Sequence, residues 1–231
     1  MNSERNDELA RLAKVHAALG DVNRLRIIDH LATTDASSSE LGRTLGLPSN
    51  LLAHHLNALE DAGLLSRRRS EGDGRRSYLS LNRHERWVVP DSAQEAALFQ
   101  ARRVVFVCTA NTARSHLAAA LWRQASTLEA VSAGTHPGER VNPAALATAR
   151  RHHLDLPEVA PRLLSDTLDE DDLVITVCDR AHEELNGLAA AHWSVPDPVP
   201  IGDRAAFETA HDDLAGRVTA LTPLVSMSGS R

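Results

Sequence analysis

Through the first eighty residues, apolar positions recur at the three-to-four spacing of amphipathic helices. Residues 9–19 (L-A-R-L-A-K-V-H-A-A-L) form one such stretch, stopped by Gly20-Asp21, and residues 23–32 form a second. Ser37-Ser38-Ser39-Glu40 offers an N-cap for a short third helix ending at Gly46. Pro48 stands where a fourth helix starts, and residues 49–62 carry its pattern as far as Gly63, with Leu51, Leu52, Leu56 and Leu59 expected inward. Two strand-like runs follow, 64–70 and 76–81, joined by the turn residues Glu71-Gly72-Asp73-Gly74. Helices, a tight turn and a hairpin predict a mainly α winged helix-turn-helix over residues 1–84.

Past residue 102 the pattern changes. V-V-F-V at 104–107 and L-V-I-T-V at 173–177 are continuous apolar runs, and V-S-A-G-T at 131–135 ends on a glycine turn. Helical stretches at 115–124, 142–153 and 203–221 alternate with them. That alternation predicts an α/β parallel sheet with helices on both faces, over residues 102–231. Residues 85–101 read as a linker, where Pro90-Asp91-Ser92 breaks the chain and can cap a short helix over 93–100.

Composition adds three constraints. With 42% hydrophobic residues the chain can build two cores, and it contains no apolar run near the roughly 18 residues of a membrane span. The first residues, M-N-S-E-R-N-D-E, carry no apolar signal, so a cytoplasmic protein without membrane contact is expected. Two cysteines in such a chain point to chemistry or core filling, not to a disulfide framework. Charge is uneven. Residues 1–89 hold 13 Arg and Lys against 12 Asp and Glu, and residues 90–231 hold 12 against 19. Seven arginines fall within residues 64–86, a strip suited to a nucleic-acid backbone and otherwise explained as a solvated hairpin.

L-G-D-V-N-R-L-R-I-I at 19–28, L-G-L-P-S-N at 45–50 and H-H-L-N-A-L-E-D-A-G-L-L at 54–65 resemble the arsenical-repressor (ArsR-type) transcriptional regulators. The resemblance implies a homodimer on double-stranded DNA with an inverted-repeat operator, and residues 9–19 as a dimer element. Helix-turn-helix geometry puts Ser49, Asn50, Ala53, His54 and Asn57 at base edges, and Arg67, Arg68, Arg69, Arg75 and Arg76 on the wing against phosphates. Members of that family carry a cysteine pair for trivalent arsenic where this chain has Ser37-Ser38-Ser39. Serine oxygen cannot replace a soft thiolate, so this half has no local thiolate site. Its histidines lack ligand spacing supported by carboxylates, and no metal site is expected.

The chemistry lies in C-T-A-N-T-A-R-S, Cys108 to Ser115, between the apolar strand and a helix. A strand–loop–helix turns backbone N–H groups and a helix N-terminus onto an oxyanion, with Thr109, Ala110, Asn111, Thr112, Ala113 and Arg114 as the binding set. Arg114 can clamp two oxygens, and the same positive field favours a Cys108 thiolate. Ser115 can donate to the sulfur, and the Asn111 amide can hold the loop. Downstream, Asp197 in H-W-S-V-P-D-P can protonate a leaving oxygen, or else serve as a turn former before Pro198.

V-F-V-C-T-A-N-T-A-R-S-H-L-A-A-A-L, V-S-A-G-T-H-P, V-N-P-A-A-L and H-W-S-V-P-D-P resemble the low-molecular-weight tyrosine phosphatases, and the last two lean towards the arsenate reductases within that fold. Phosphatases of the family place aromatics after the Asp-Pro, and this chain has Val199-Pro200. The resemblance implies reduction of arsenate to arsenite, with Cys108 as nucleophile, Arg114 and Ser115 assisting, Asp197 as proton donor and Cys178 as a resolving thiol. Residues 179–188 hold no further cysteine, so a three-thiol relay is excluded and either Cys178 resolves alone or a small thiol does. No bound cofactor is expected, and the resemblance implies an external thiol reductant, thioredoxin or a small thiol such as mycothiol or glutathione. A bifunctional arsenic-resistance regulator and reductase is thus expected. The alternatives are a DNA-tethered tyrosine phosphatase and a regulator whose second half only senses an anion or redox state.

Overall fold

The structure, a computed structural model, describes residues 2–82, 97–157 and 159–228. The chain divides into two compact units, one built on residues 1–69 and 74–91, the other on 70–73 and 92–231.

In the first unit four helices, α1 (Asn2–Leu19), α2 (Val22–Thr33), α3 (Ser38–Leu45) and α4 (Ser49–Asp61), pack around Ile27, Ile28, Leu31, Leu41, Leu52, Leu56 and Leu59. Each start has a chemical cause. Asp21 caps α2 by accepting from the Asn23 and Arg24 amides at 2.9 and 3.1 Å. Ser37 and Glu40 form a reciprocal capping box at α3, so the serine run is used to start a helix. Gly46 ends α3 in the left-handed region, at φ 66°. α1 begins well ahead of residue 9, because residues 5–14 are exposed and the stretch before residue 9 lacks the apolar period that would reveal it. Strands β2 (Leu65–Arg69) and β3 (Ser77–Leu81) pair antiparallel from Leu65↔Leu81 to Arg69↔Ser77. β1 (Ala36–Ser37) adds to β3, an element that two residues could not signal.

The second unit centres on four parallel strands in the order β6-β5-β7-β8: β5 (Arg103–Cys108), β6 (Glu129–Gly134), β7 (Asp172–Thr176) and β8 (Ala191–His192). Val104, Val105, Phe106 and Val107 are all fully buried, so both faces of the central strand are covered, as an unbroken apolar run requires. Helix α5 (Arg114–Ala125) packs on β5, β6 and α8 (Arg204–Leu221), with α6 (Pro143–Arg151) beside it, while α7 (Asp179–Leu185) lies against β5 and β7. The Phe106 ring packs tilted on Trp122 and Trp193, with centroids 5.9 and 5.6 Å apart.

Two expectations are corrected. Residues 97–101 hold no helix: β4 (Phe99–Ala101) pairs parallel with β9 (Val225–Met227), a partnership without local signal because the partner lies at the other end of the unit. The stretch after β7, to which the sequence pattern assigns no helix, also differs. It contains α7, whose seven residues bury only Asp179 and Ala181 and so show no helical period. The rest of the expected linker, 85–96, lies outside the described residues. No helix among the described residues is long and apolar enough to cross a membrane.

Successive connections carry the chain from β5 out to β6 and then across to β7 on the other side. The carboxyl ends of β5 and β7 therefore open a crevice at a topological switch point. Cys108 ends β5, and Cys178 follows β7 by two residues.

Candidate functional site

Cys108 and the loop after it form the floor of that crevice. The Cys108 sulfur sits 3.2 Å from Ser115 Oγ and accepts from the Asn111 amide at 3.2 Å. Asn111 adopts φ 49°, and its side chain lies behind the loop. There Nδ2 donates to Ser115 Oγ at 2.9 Å and Oδ1 accepts from the Arg162 amide at 2.8 Å. The Asn111 amide side chain thus braces the loop and does not line its mouth.

The loop's carbonyls are turned outward by a second segment. Thr135, His136, Gly138 and Asn142 donate their amides to the carbonyls of Cys108, Thr109, Ala110 and Thr112 at 2.8–3.2 Å. With those four carbonyls engaged from behind, the loop is held in place, and the Asn111 amide is turned to the Cys108 sulfur. Gly134 makes this close approach possible, since a Cβ there would stand 2.7 Å from the Thr109 carbonyl oxygen and 2.9 Å from Asn111 Cβ. Ala113 caps α5 without a side-chain hydrogen bond, so the first amides of that helix are also open to an anion.

Arg114 is nearly buried, donates from Nη1 to the Val195 carbonyl at 2.8 Å, and holds Asp197 Oδ2 at 2.9 Å from Nη2. Burial opposes its charge, but the Cys178 and Cys108 thiols and the Asp197 carboxylate together draw its pKa above the usual guanidinium value. Cys178 lines the same crevice, almost fully buried. Its sulfur caps α7 by accepting from the Ala181 amide at 3.5 Å and lies 3.4 Å from Thr109 Oγ1. Burial, reinforced by the neighbouring Cys108, pushes its thiol up to about 11. Val199, Pro200 and Ile201 wall the crevice opposite, aliphatic throughout.

Cys108, Thr109, Ala110, Thr112, Ala113, Arg114, Cys178 and Asp197 therefore meet in one crevice, with Ser115 and Asn111 beneath it. Sequence reasoning left out Gly134, Arg162 and His116. His116 lies 3.3 Å from Ser132 Oγ through Nδ1, and burial drives its pKa down to about 4. V-S-A-G-T-H-P was a visible motif, but its bracing role depends on a register that sequence does not carry. Among the described residues no group of three or more His, Cys, Asp or Glu is arranged to hold a metal ion.

In the first unit, Ser49, Asn50, Ala53, His54 and Asn57 share one exposed face of α4. Leu51 joins them, 39% exposed, contrary to the inward position expected of it. His55 turns the other way, buried with Nδ1 3.7 Å from Asp21 Oδ1. Arg67 is engaged by Glu60 through two bonds of 3.0 and 3.2 Å, and Arg69 donates to the Gly74 carbonyl. Arg75 and Arg76 are exposed.

A model of the low molecular weight phosphotyrosine protein phosphatase family matches residues 103–228, more than half of the chain. The chain belongs to that family. A helix-turn-helix domain model, of ArsR type, matches residues 19–68. The chain is similar to arsenate reductase 1 of Bacillus cereus, at 26% identity over 124 residues covering 51% of this chain and 91% of that protein. Among solved structures it is similar to an arsenate reductase from Archaeoglobus fulgidus, at 26% identity, 50% and 98% coverage and a TM-score of 0.40. It is also similar to the tyrosine phosphatase AmsI of Erwinia amylovora, at 19% identity, 53% and 91% coverage and a TM-score of 0.46. This member of the phosphatase family thus carries an ArsR-type helix-turn-helix ahead of its α/β domain.

Proposed function

We propose that this chain is a cytoplasmic arsenic-resistance protein that joins a DNA-binding regulator to a thiol-dependent arsenate reductase. The observation that carries the reading is the pair of thiols, Cys108 and Cys178, lining one oxyanion crevice with Arg114 between them in charge. The likeness to a curated arsenate reductase and the aliphatic wall at Val199-Pro200-Ile201 support it. An aryl phosphate would find no aromatic partner on that wall.

The loop amides and Arg114 bind arsenate. Cys108 attacks arsenic as a thiolate, and Asp197 protonates the departing oxygen, leaving a sulfur–arsenic(V) bond. A second thiol then attacks the Cys108 sulfur. The sulfur–arsenic bond breaks with its electron pair going to arsenic, which leaves as arsenite, and the two sulfurs are oxidised to a disulfide. Cys178 is the internal candidate for that thiol, and thioredoxin or a small thiol such as glutathione or mycothiol the external one. The helix-turn-helix, acting as a homodimer, takes an inverted-repeat operator through the exposed α4 face and the wing arginines.

Arsenite release should be followed with a thioredoxin couple, with glutathione and with mycothiol, beside hydrolysis of an aryl phosphate in the same preparation. Arsenite under at least one reductant supports the reading, and none under any reductant overturns it. Aryl phosphate hydrolysis in that second case would favour the tyrosine phosphatase alternative, to which Asp197-Pro198 is equally suited.

A further inference from the structure

We propose that Asp179 is a positioning residue for the proton donor: its carboxylate, bonded by Ser194 beside His192, fixes the segment that carries Asp197 against Arg114. The inference rests on the reading of Asp197 as that donor. Asp179 is almost wholly buried, at the crevice end of α7. Its Oδ1 accepts from Ser194 Oγ at 2.6 Å and lies 3.3 Å from His192 Nε2. His192 is itself buried, with Nδ1 3.0 Å from Thr176 Oγ1 and its ring stacked on His182 of α7 at 4.0 Å.

The next residues are tied at nearly every step. Trp193 donates its amide to the Thr176 carbonyl at 2.7 Å, and the Val195 carbonyl accepts from Arg114 at 2.8 Å. Asp197 then pairs with Arg114 at 2.9 Å, between two prolines that restrict its backbone. A buried carboxylate costs more than an apolar side chain would, and it gives direction in return. Here its Oδ1 is directed at two groups, both on the strand end that leads to Asp197.

The test is a double-mutant cycle in the full chain, using Asp179→Asn, Ser194→Ala and Asp197→Asn on two aryl phosphates. Phenyl phosphate needs its leaving oxygen protonated, and dinitrophenyl phosphate does not. With Asp179→Asn and Ser194→Ala the phenyl phosphate rate should fall about tenfold and the dinitrophenyl phosphate rate by less than about twofold. Inhibition by inorganic phosphate should be unchanged, and Asp179→Asn should add little on top of Asp197→Asn. Equal losses on both esters, or losses additive with Asp197→Asn, would overturn the inference. If Asp197→Asn itself shows no leaving-group dependence, the donor reading fails separately. Hydrogen exchange then decides the positioning claim, also in the case that wild type hydrolyses neither ester. Amides of residues 195–199 should exchange at least about tenfold faster in both variants with those of 104–108 unchanged, and unaltered exchange at 195–199 overturns it.

Discussion

A methyl group at residue 134 would have nowhere to go. The Thr109 carbonyl and the Asn111 side chain and amide surround that position, and all three belong to the loop that follows Cys108. Gly134→Ala should therefore displace the loop at a cost of about 1–3 kcal/mol, the usual range for overpacking a filled site. Urea unfolding would read the loss, and weakened inhibition by phosphate would read the displaced loop. Unchanged phosphate binding in Gly134→Ala would contradict the bracing account. Individual residues were also where sequence was most legible. Cys108, Arg114 and Ser115 lie in one short segment, so their spacing alone implied their meeting, and Asp197 was marked by its prolines. Residues whose roles depend on a partner far along the chain, such as Gly134, Arg162 and Asp179, gave no comparable sign.

At the scale of elements, helix α5 both opens the anion site and buries a histidine one residue past Ser115. His116 is held neutral by burial, with a folded pKa of about 4 against an ordinary value of 6.5. Between those values the unfolded chain binds a proton that the folded chain refuses, so the contribution is full above 6.5 and lost as pH falls through 4. At about 1.4 kcal/mol per unit this amounts to roughly 3 kcal/mol at most. Urea midpoints between pH 7 and 4 should fall less steeply in His116→Gln than in wild type, and parallel slopes would refute the assignment. The same helix shows why the parallel sheet could be read in advance. V-V-F-V followed by a loop and a helical pattern is a strand–turn–helix on any physical reading, whereas α7, β1, β4 and β8 are too short to print a period.

For the whole molecule, the two halves differ in charge, with 13 Arg and Lys against 12 Asp and Glu over residues 1–89 and 12 against 19 over residues 90–231. Arg75 and Arg76 are exposed on the wing, and Arg67 there bonds Glu60. Replacing Arg75 or Arg76 by Ala should lower the slope of log affinity against log salt by about one each on duplex DNA. Fluorescence anisotropy across a salt series measures this, and slopes unmoved by Arg75→Ala and Arg76→Ala would remove the wing from the interface. The capping box at Ser37 and Glu40 gives the serines a structural task where an arsenic-binding pair might have stood. Cys108 and Cys178 are thus the only thiols through which the chain can handle arsenic. The most direct measurement is arsenite released from arsenate by wild type and by Cys108→Ser under a saturating thiol reductant. The account predicts steady release from wild type and none above background from Cys108→Ser, and equal release from the two proteins would contradict it.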